Sequence, residues 1–280
     1  MFEIIGCPMH QGVSNDGLKK CIDTLNETFC ELNIKKIDEE ICQEDNLPNL
    51  KNLNGIVKTC QKIATETDRV IKSGKIPLFV GGDHASAMGT VAGAHANAEH
   101  LGLIWIDAHA DINTDVTTIT GNIHGMPVSA IMGFGNELLS SIYSEQPKVL
   151  PQHIVLFGVR DLDPLEKEIV ERLNIKTFTY DEVMEIGVVK ALAQVKKYLK
   201  GIDKLHVSFD LDSMNPELIK GVTVPVASGF NADDVFSMFD YILEHFKLSS
   251  VDVVEFNPAY DTDGYTAEFT NSLLQKIMKA

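Results

Sequence analysis

Arginine is scarce in this chain. Three residues, Arg69, Arg160 and Arg172, stand against a formal net charge of −16. A protein that grips nucleic-acid phosphates needs a basic stripe to displace counterions. None is present, so neither nucleic acid nor an anionic membrane surface is an expected partner. Cysteine is also sparse and poorly placed for cross-linking. The five residues Cys7, Cys21, Cys30, Cys42 and Cys60 are odd in number, crowd into the N-terminal part and form no CxxC pair. A disulfide framework and a zinc knuckle are both disfavoured, and free thiols in a reducing compartment are expected. No apolar run approaches the ~20 residues that span a bilayer. The N-terminus, MFEIIGCPMHQG, lacks the basic and apolar regions of a signal peptide, which makes the cytoplasm the expected location.

What is present suits a globular α/β protein. The 280 residues are 44% apolar and 23% charged, enough for a sizeable core, and one domain over residues 1–280 is expected. Short β-branched apolar runs predict strands at Phe2–Gly6, Ile76–Val80, Leu101–Ile106, His153–Gly158, Thr177–Tyr180, Leu205–Phe209 and Val251–Phe256. Amphipathic segments predict helices at Asn54–Ser73, Asp163–Leu173, Asp181–Lys200, Ala232–Phe246 and Thr266–Lys279. Strands apolar throughout, alternating with helices, imply a mostly parallel sheet covered on both faces, a three-layer α-β-α sandwich. The least regular segments are Ile41–Leu53, Asn113–Pro127 and Ser213–Gly229. The last two follow strands, where open parallel sheets bind their ligands.

Charge gathers at four strand ends. GGDH runs from Gly81 to His84, DAHAD carries Asp107, His109 and Asp111, DLD carries Asp210 and Asp212, and Glu255 is predicted inside the last strand, in VVEFNP. If these segments are extended, alternate residues project together. A single DxH or DxD is common as a cap or a solvated loop. Three such motifs at three strand ends instead gather four carboxylates and two imidazoles with few cations nearby, an arrangement costly without metal. The carboxylates sum to −4, which two divalent ions balance. Oxygen ligands with two nitrogens and no thiolate suit Mn²⁺, in a pair roughly 3.5 Å apart.

GGDHAS, DAHADIN and SFDLD, in that order, resemble the ureohydrolase superfamily, and the segment DINTDVTTITGNIHGMPVS from Asp111 to Ser129 narrows the resemblance to the arginase family. The resemblance covers most of the chain from Ile76 to Pro258. It implies about eight parallel strands and conversion of L-arginine to L-ornithine and urea, by attack of a metal-bridging hydroxide on the guanidinium carbon. It also implies a dimanganese site, with His84, Asp107, Asp111 and Asp210 on one ion and Asp107, His109, Asp210 and Asp212 on the other. Asp111 resembles the carboxylate that passes a proton to the leaving amine, His124 the proton-shuttling histidine, and Glu255 the group that holds the guanidinium. Asn113, Thr118 and Thr120 match positions at the substrate α-carboxylate, and Asp163 and Glu166 match positions near its α-amino group. A trimer or hexamer is implied as well.

Plainer roles stand beside these. Asp163 precedes Pro164 as a helix N-cap would, His124 could be a surface histidine, and Glu255 could belong to a structural ion pair. The chain departs from the family pattern at Thr120, where serine is usual, at Val224, where threonine is common, and at Asn215, where aspartate is common. No GVExGP-type segment is recognisable around Gly12–Leu18, and the long C-terminal tail of some arginases is not expected. Three alternatives remain at this level: a ureohydrolase acting on agmatine or another guanidino compound, a two-metal phosphoesterase, and a non-catalytic binding module.

Overall fold

The computed structural model describes residues 1–42 and 46–280. Residues 43–45 of the irregular segment Ile41–Leu53 lie outside that description. Ten strands are present among the described residues: β1 Phe2–Cys7, β2 Lys35–Lys36, β3 Asn46–Leu47, β4 Leu50–Lys51, β5 Ile76–Gly81, β6 Leu101–Ile106, β7 Ile154–Val159, β8 Lys176–Thr179, β9 Lys204–Asp210 and β10 Leu248–Val254. Eight form one sheet in the order β2-β1-β5-β10-β9-β6-β7-β8, and every neighbouring pair is parallel. β3 and β4 make a separate antiparallel hairpin.

Alternation along the strands explains the layers. In β6, Ile104 and Ile106 enter one apolar cluster while Leu103 and Trp105 enter the other. The first cluster is completed by helices Cys21–Thr28, Tyr180–Ile186, Val188–Tyr198, Ala232–His245 and Tyr265–Met278, and the second by Leu53–Lys72, Ala87–His95, Pro127–Ile131 and Pro164–Arg172. Both faces of the sheet are therefore apolar and covered, and each fully buried Leu, Ile or Phe contributes roughly 1.5–3 kcal/mol of hydrophobic stabilisation.

Seven sheet strands fall where the apolar runs predict them, within a few residues. The eighth, β2, is only two exposed lysines on the sheet edge and carries no apolar signal. Two expectations need correction, and one helix goes unpredicted. The helix predicted over Asp181–Lys200 is two helices, interrupted at Gly187, whose φ of 89° lies outside the helical range. The last strand stops at Val254, so Glu255 is not inside it. Helix Ala87–His95 is absent from the amphipathic pattern because it is buried nearly all round, between the sheet and helix Leu53–Lys72. Its small residues allow that approach: a Cβ at Gly93 would sit 2.5 Å from the Ala64 carbonyl oxygen.

That contact generates a prediction. Alanine at position 93 gains up to ~1 kcal/mol of helix propensity, but the clash is with backbone, which cannot rotate away. Overpacking of this kind costs ~1–3 kcal/mol. Gly93→Ala is expected to lower the midpoint of chemical denaturation, and an unchanged or raised midpoint would contradict the packing described.

Candidate metal centre

β5, β10, β9 and β6 are adjacent in the sheet, so the segments leaving their carboxyl ends meet. His84 follows β5, Asp107, His109 and Asp111 follow β6, Asp210 ends β9 with Asp212 just beyond, and Glu255 follows β10. The carboxylates converge as the sequence predicts, but by a different local route. His109 N–H donates to Asp107 Oδ1 at 2.7 Å, and Asp212 N–H donates to Asp210 Oδ1 at 2.7 Å. These are tight side-chain-to-backbone turns, not extended alternation. Asp111 and Glu255 have φ of 50° and 64°. Left-handed backbone at a non-glycine residue costs of order 1 kcal/mol or more and collects at functional sites.

The ligand atoms face one another closely. His84 Nδ1 lies 3.1 Å from Asp107 Oδ2, 3.3 Å from Asp111 Oδ2 and 3.0 Å from Asp210 Oδ2. His109 Nδ1 lies 3.4 Å from Asp107 Oδ1 and 3.2 Å from Asp212 Oδ2. Two overlapping groups, His84–Asp107–Asp111 and Asp107–His109–Asp212, have all ligand atoms within 4.8 Å of one another, and they share Asp107. All but His109 are buried.

Electrostatics exposes the shortage of positive charge. Burial, reinforced by Asp107, pushes Asp212 up to about 7 and raises Asp111. Burial, with Asp212 and Asp107 adding, raises Asp210 well above the usual carboxylate range. The imidazoles respond in the opposite sense: burial would lower His84, yet Asp107, Asp111 and Asp210 outweigh it and raise it far above an ordinary histidine. Arg160 gives no relief. Its guanidinium donates to the carbonyl oxygens of Asp212, Ser213, Met214, Val226, Ala227 and Ser228. It ties down the loop after β9 through those backbone carbonyls.

The donor set fits divalent cations. Among the described residues, His84 Nδ1 is buried and makes no hydrogen bond, although three carboxylate oxygens surround it. A nitrogen ringed by carboxylate oxygens needs positive charge between them, a proton in the metal-free protein or a divalent cation in its place. The arrangement could hold metal.

Glu255 is 2% exposed. Its Oε1 accepts from the His84 backbone N–H at 3.0 Å and lies 3.4 Å from His124 Nδ1, while its Oε2 has no partner among the described residues. Burial would lower His124, but Glu255, then Asp111 and Asp83, raise it. The far rim carries the remaining predicted residues. Asn113 Nδ2 donates to Asp163 Oδ2 at 2.8 Å. Asp163 also caps helix Pro164–Arg172 in a capping box with Glu166, so the cap is real and leaves one oxygen for Asn113. Glu166 also accepts from the Ile112 N–H, and burial pushes it up to about 7. Thr118 and Thr120 turn their hydroxyls to the N–H groups of Gly121 and Asn122, and are not joined to the Asn113–Asp163 pair.

Three participants escape the sequence reading. Thr117 donates to Asn113 Oδ1 at 2.8 Å and sets its amide. Gly12 N–H donates to Asp83 Oδ2 at 2.8 Å while Gly12 O accepts from the His124 N–H, so the N-terminal loop walls the site despite its atypical sequence. Asp83, read only as part of GGDH, is fully buried and pushed up to about 7 by burial and Glu255. Nothing in the sequence pattern marks these three roles.

Comparison with known proteins agrees with this construction. The arginase family model matches residues 2–279. The arginase of Bacillus caldovelox is 34% identical over 288 residues, covering 98% of this chain and 96% of that protein. Its solved structure superposes with a TM-score of 0.92 at 33% identity, covering 100% of this chain and 98% of that one. The arginase of Entamoeba histolytica, solved in complex with L-ornithine, superposes with a TM-score of 0.90 at 27% identity over 100% of this chain and 98% of that one. With the family model spanning nearly every residue and the strand-end cluster in place, this chain belongs to the arginase family.

Proposed function

We propose that the chain, acting as one ureohydrolase domain over residues 1–280, hydrolyses L-arginine to L-ornithine and urea with two Mn²⁺ ions. His84, Asp107, Asp111 and Asp210 would hold one ion, and Asp107, His109, Asp210 and Asp212 the other. When bound, the pair offsets four carboxylates and supplies the Lewis acidity that makes hydroxide available from water near neutral pH. On resemblance alone, the reading takes the working form to be a cytoplasmic trimer or hexamer.

The observation that carries this reading is Glu255 Oε2, a buried carboxylate oxygen beside the cluster without a partner among the described residues. Once metal balances the ligand charge, one further carboxylate is what a guanidinium cation needs. Glu255 accepts from the guanidinium N–H groups and turns the central carbon toward the attacking side. Asp111 hands a proton to the departing δ-amine. His124, adjacent to Glu255 and raised by it, holds a second proton at Nδ1 for that amine. At the other end, Asn113, Thr118 and Thr120 meet the α-carboxylate, and Asp163 and Glu166 meet the α-amino group. Agmatine lacks the carboxylate, so it leaves the first set unpaired, a strong penalty for a site built to hydrogen-bond its substrate. The relative solved with L-ornithine supports the same product.

The test is urea release by Mn²⁺-loaded protein. L-Arginine is expected to exceed agmatine in kcat/KM by at least ~100-fold. Glu255→Gln, which keeps the shape but loses the charge, is expected to lower kcat/KM on L-arginine by roughly 10³-fold with both metal ions retained. Urea release by metal-free protein, or preference for agmatine, would overturn the proposal.

A pH effect follows in the metal-free protein. Asp212 and Glu166 are held at about 7 when folded, against ~4 in an unfolded chain. A raised folded value means their contribution to stability is complete below pH ~4 and is lost as pH climbs through ~7. Metal-free protein is therefore expected to melt at lower temperature at pH 8 than at pH 5.5, and Mn²⁺ added at pH 8 is expected to raise the melting temperature. Metal-free protein that melts higher at pH 8 would contradict this charge account.

A further inference from the structure

The second apolar cluster is interrupted along one line. On the face of β9 and β10 that meets helix Ala87–His95, the alternating positions are His206 and Ser208, and Ser250 and Asp252. All four are at most 1% exposed. A buried aspartate in mid-sheet does not serve stability cheaply, since apolar residues of similar volume usually do as well or better.

The hydrogen bonds run in one direction. Asp252 Oδ2 accepts from Thr90 Oγ1 at 2.6 Å, from His206 Nε2 at 3.0 Å and from Ser208 Oγ at 3.4 Å. His206 Nδ1 in turn accepts from Ser250 Oγ at 2.6 Å. Ser208 Oγ also lies 2.9 Å from His84 Nε2, and with the imidazole hydrogen on Nε2 the donation runs from His84 to Ser208 and from the Ser208 hydroxyl to Asp252. That arrangement keeps a hydrogen on His84 Nε2, so Nδ1 is the nitrogen at which a metal ion would replace a proton. Nδ1 is the atom that faces Asp107, Asp111 and Asp210. The plane of the ring is set separately by Trp105, stacked at 3.8 Å and 8°. His109 has no such support: among the described residues its Nε2 makes no hydrogen bond.

We propose that Asp252 is a positioning residue that acts through Ser208 to hold His84 with Nδ1 toward the metal. The carboxylate–hydroxyl–imidazole relay reaches across the β9–β10 pair and sets which His84 nitrogen an incoming ion meets. It rests on the metal reading above. Outer partners of this kind typically alter metal affinity by 10–100-fold.

Mn²⁺ binding followed by equilibrium dialysis, with the free ion read by electron paramagnetic resonance, tests the relay in wild type, Ser208→Ala, Ser208→Thr and Asp252→Asn. Melting of each metal-free protein serves as the control for folding. Wild type is expected to bind two ions. Ser208→Ala and Asp252→Asn are expected to weaken one of the two by roughly 10–100-fold at a metal-free melting temperature close to wild type. Ser208→Thr, which keeps the hydroxyl, is expected to bind as wild type. Wild-type affinity in both Ser208→Ala and Asp252→Asn would overturn the relay and leave the metal reading intact. So would equal weakening of both ions together with a fall in metal-free melting, because that is the mark of a purely structural role. If Ser208→Ala does not fold, Asp252→Asn alone decides by the same two criteria. A wild-type protein that binds no ion would overturn the metal reading and the relay with it.

Discussion

Four carboxylates, from Asp107, Asp111, Asp210 and Asp212, are drawn to one buried point at the carboxyl edge of the sheet, and the rest of the molecule is arranged around that repulsion. Two like charges ~4 Å apart cost about 4 kcal/mol each pair at an effective dielectric of ~20. Without a counter-charge the protein responds in the ways available to it: three of the four carboxylates are raised, and His84 and His109 both move toward protonation. The fold does not avoid the conflict by swinging Arg160 inward. It uses that guanidinium on backbone carbonyls instead, fixing the loop that delivers Asp212.

Holding the point together takes local geometry as well as charge. Backbone N–H groups donated by His109 and Asp212 grip Asp107 and Asp210, and left-handed backbone at Asp111 and Glu255 turns those side chains inward at some conformational cost. Further out, the capping box at Asp163, the Gly12 contacts to Asp83 and His124, and the polar line through Asp252 keep the surrounding groups in register. A preorganised shell of this kind is what a small cationic substrate requires, because reaction geometry tolerates little slack.

Much of the plan was legible in the amino-acid order. Apolar β-branched runs mark seven sheet strands, since a doubly covered parallel sheet demands them, and DAHAD, DLD and GGDH stand out because charge rarely follows such runs without purpose. The carboxylates converge through short turns closed by Asp107 and Asp210, not through period-two alternation in an extended segment. Glu255 was read into a strand because VVEF looks continuous, and only its positive φ reveals the break. Helix Ala87–His95 was invisible because burial on all sides erases amphipathic contrast. The roles of Gly12 and Asp83 depend on a contact between segments far apart in the chain, which no local pattern encodes, while Thr117 acts within its own loop, where only the folded turn brings its hydroxyl to Asn113.

The central claim is that divalent cations reconcile these carboxylates, and it can be seen directly. A crystal grown with Mn²⁺ and measured at the manganese absorption edge is predicted to give two anomalous peaks roughly 3.5 Å apart, one beside His84 Nδ1 and one beside His109 Nδ1. A map with no anomalous peak among these side chains, the carboxylates being neutralised by protons or by a rearranged basic side chain, would contradict it.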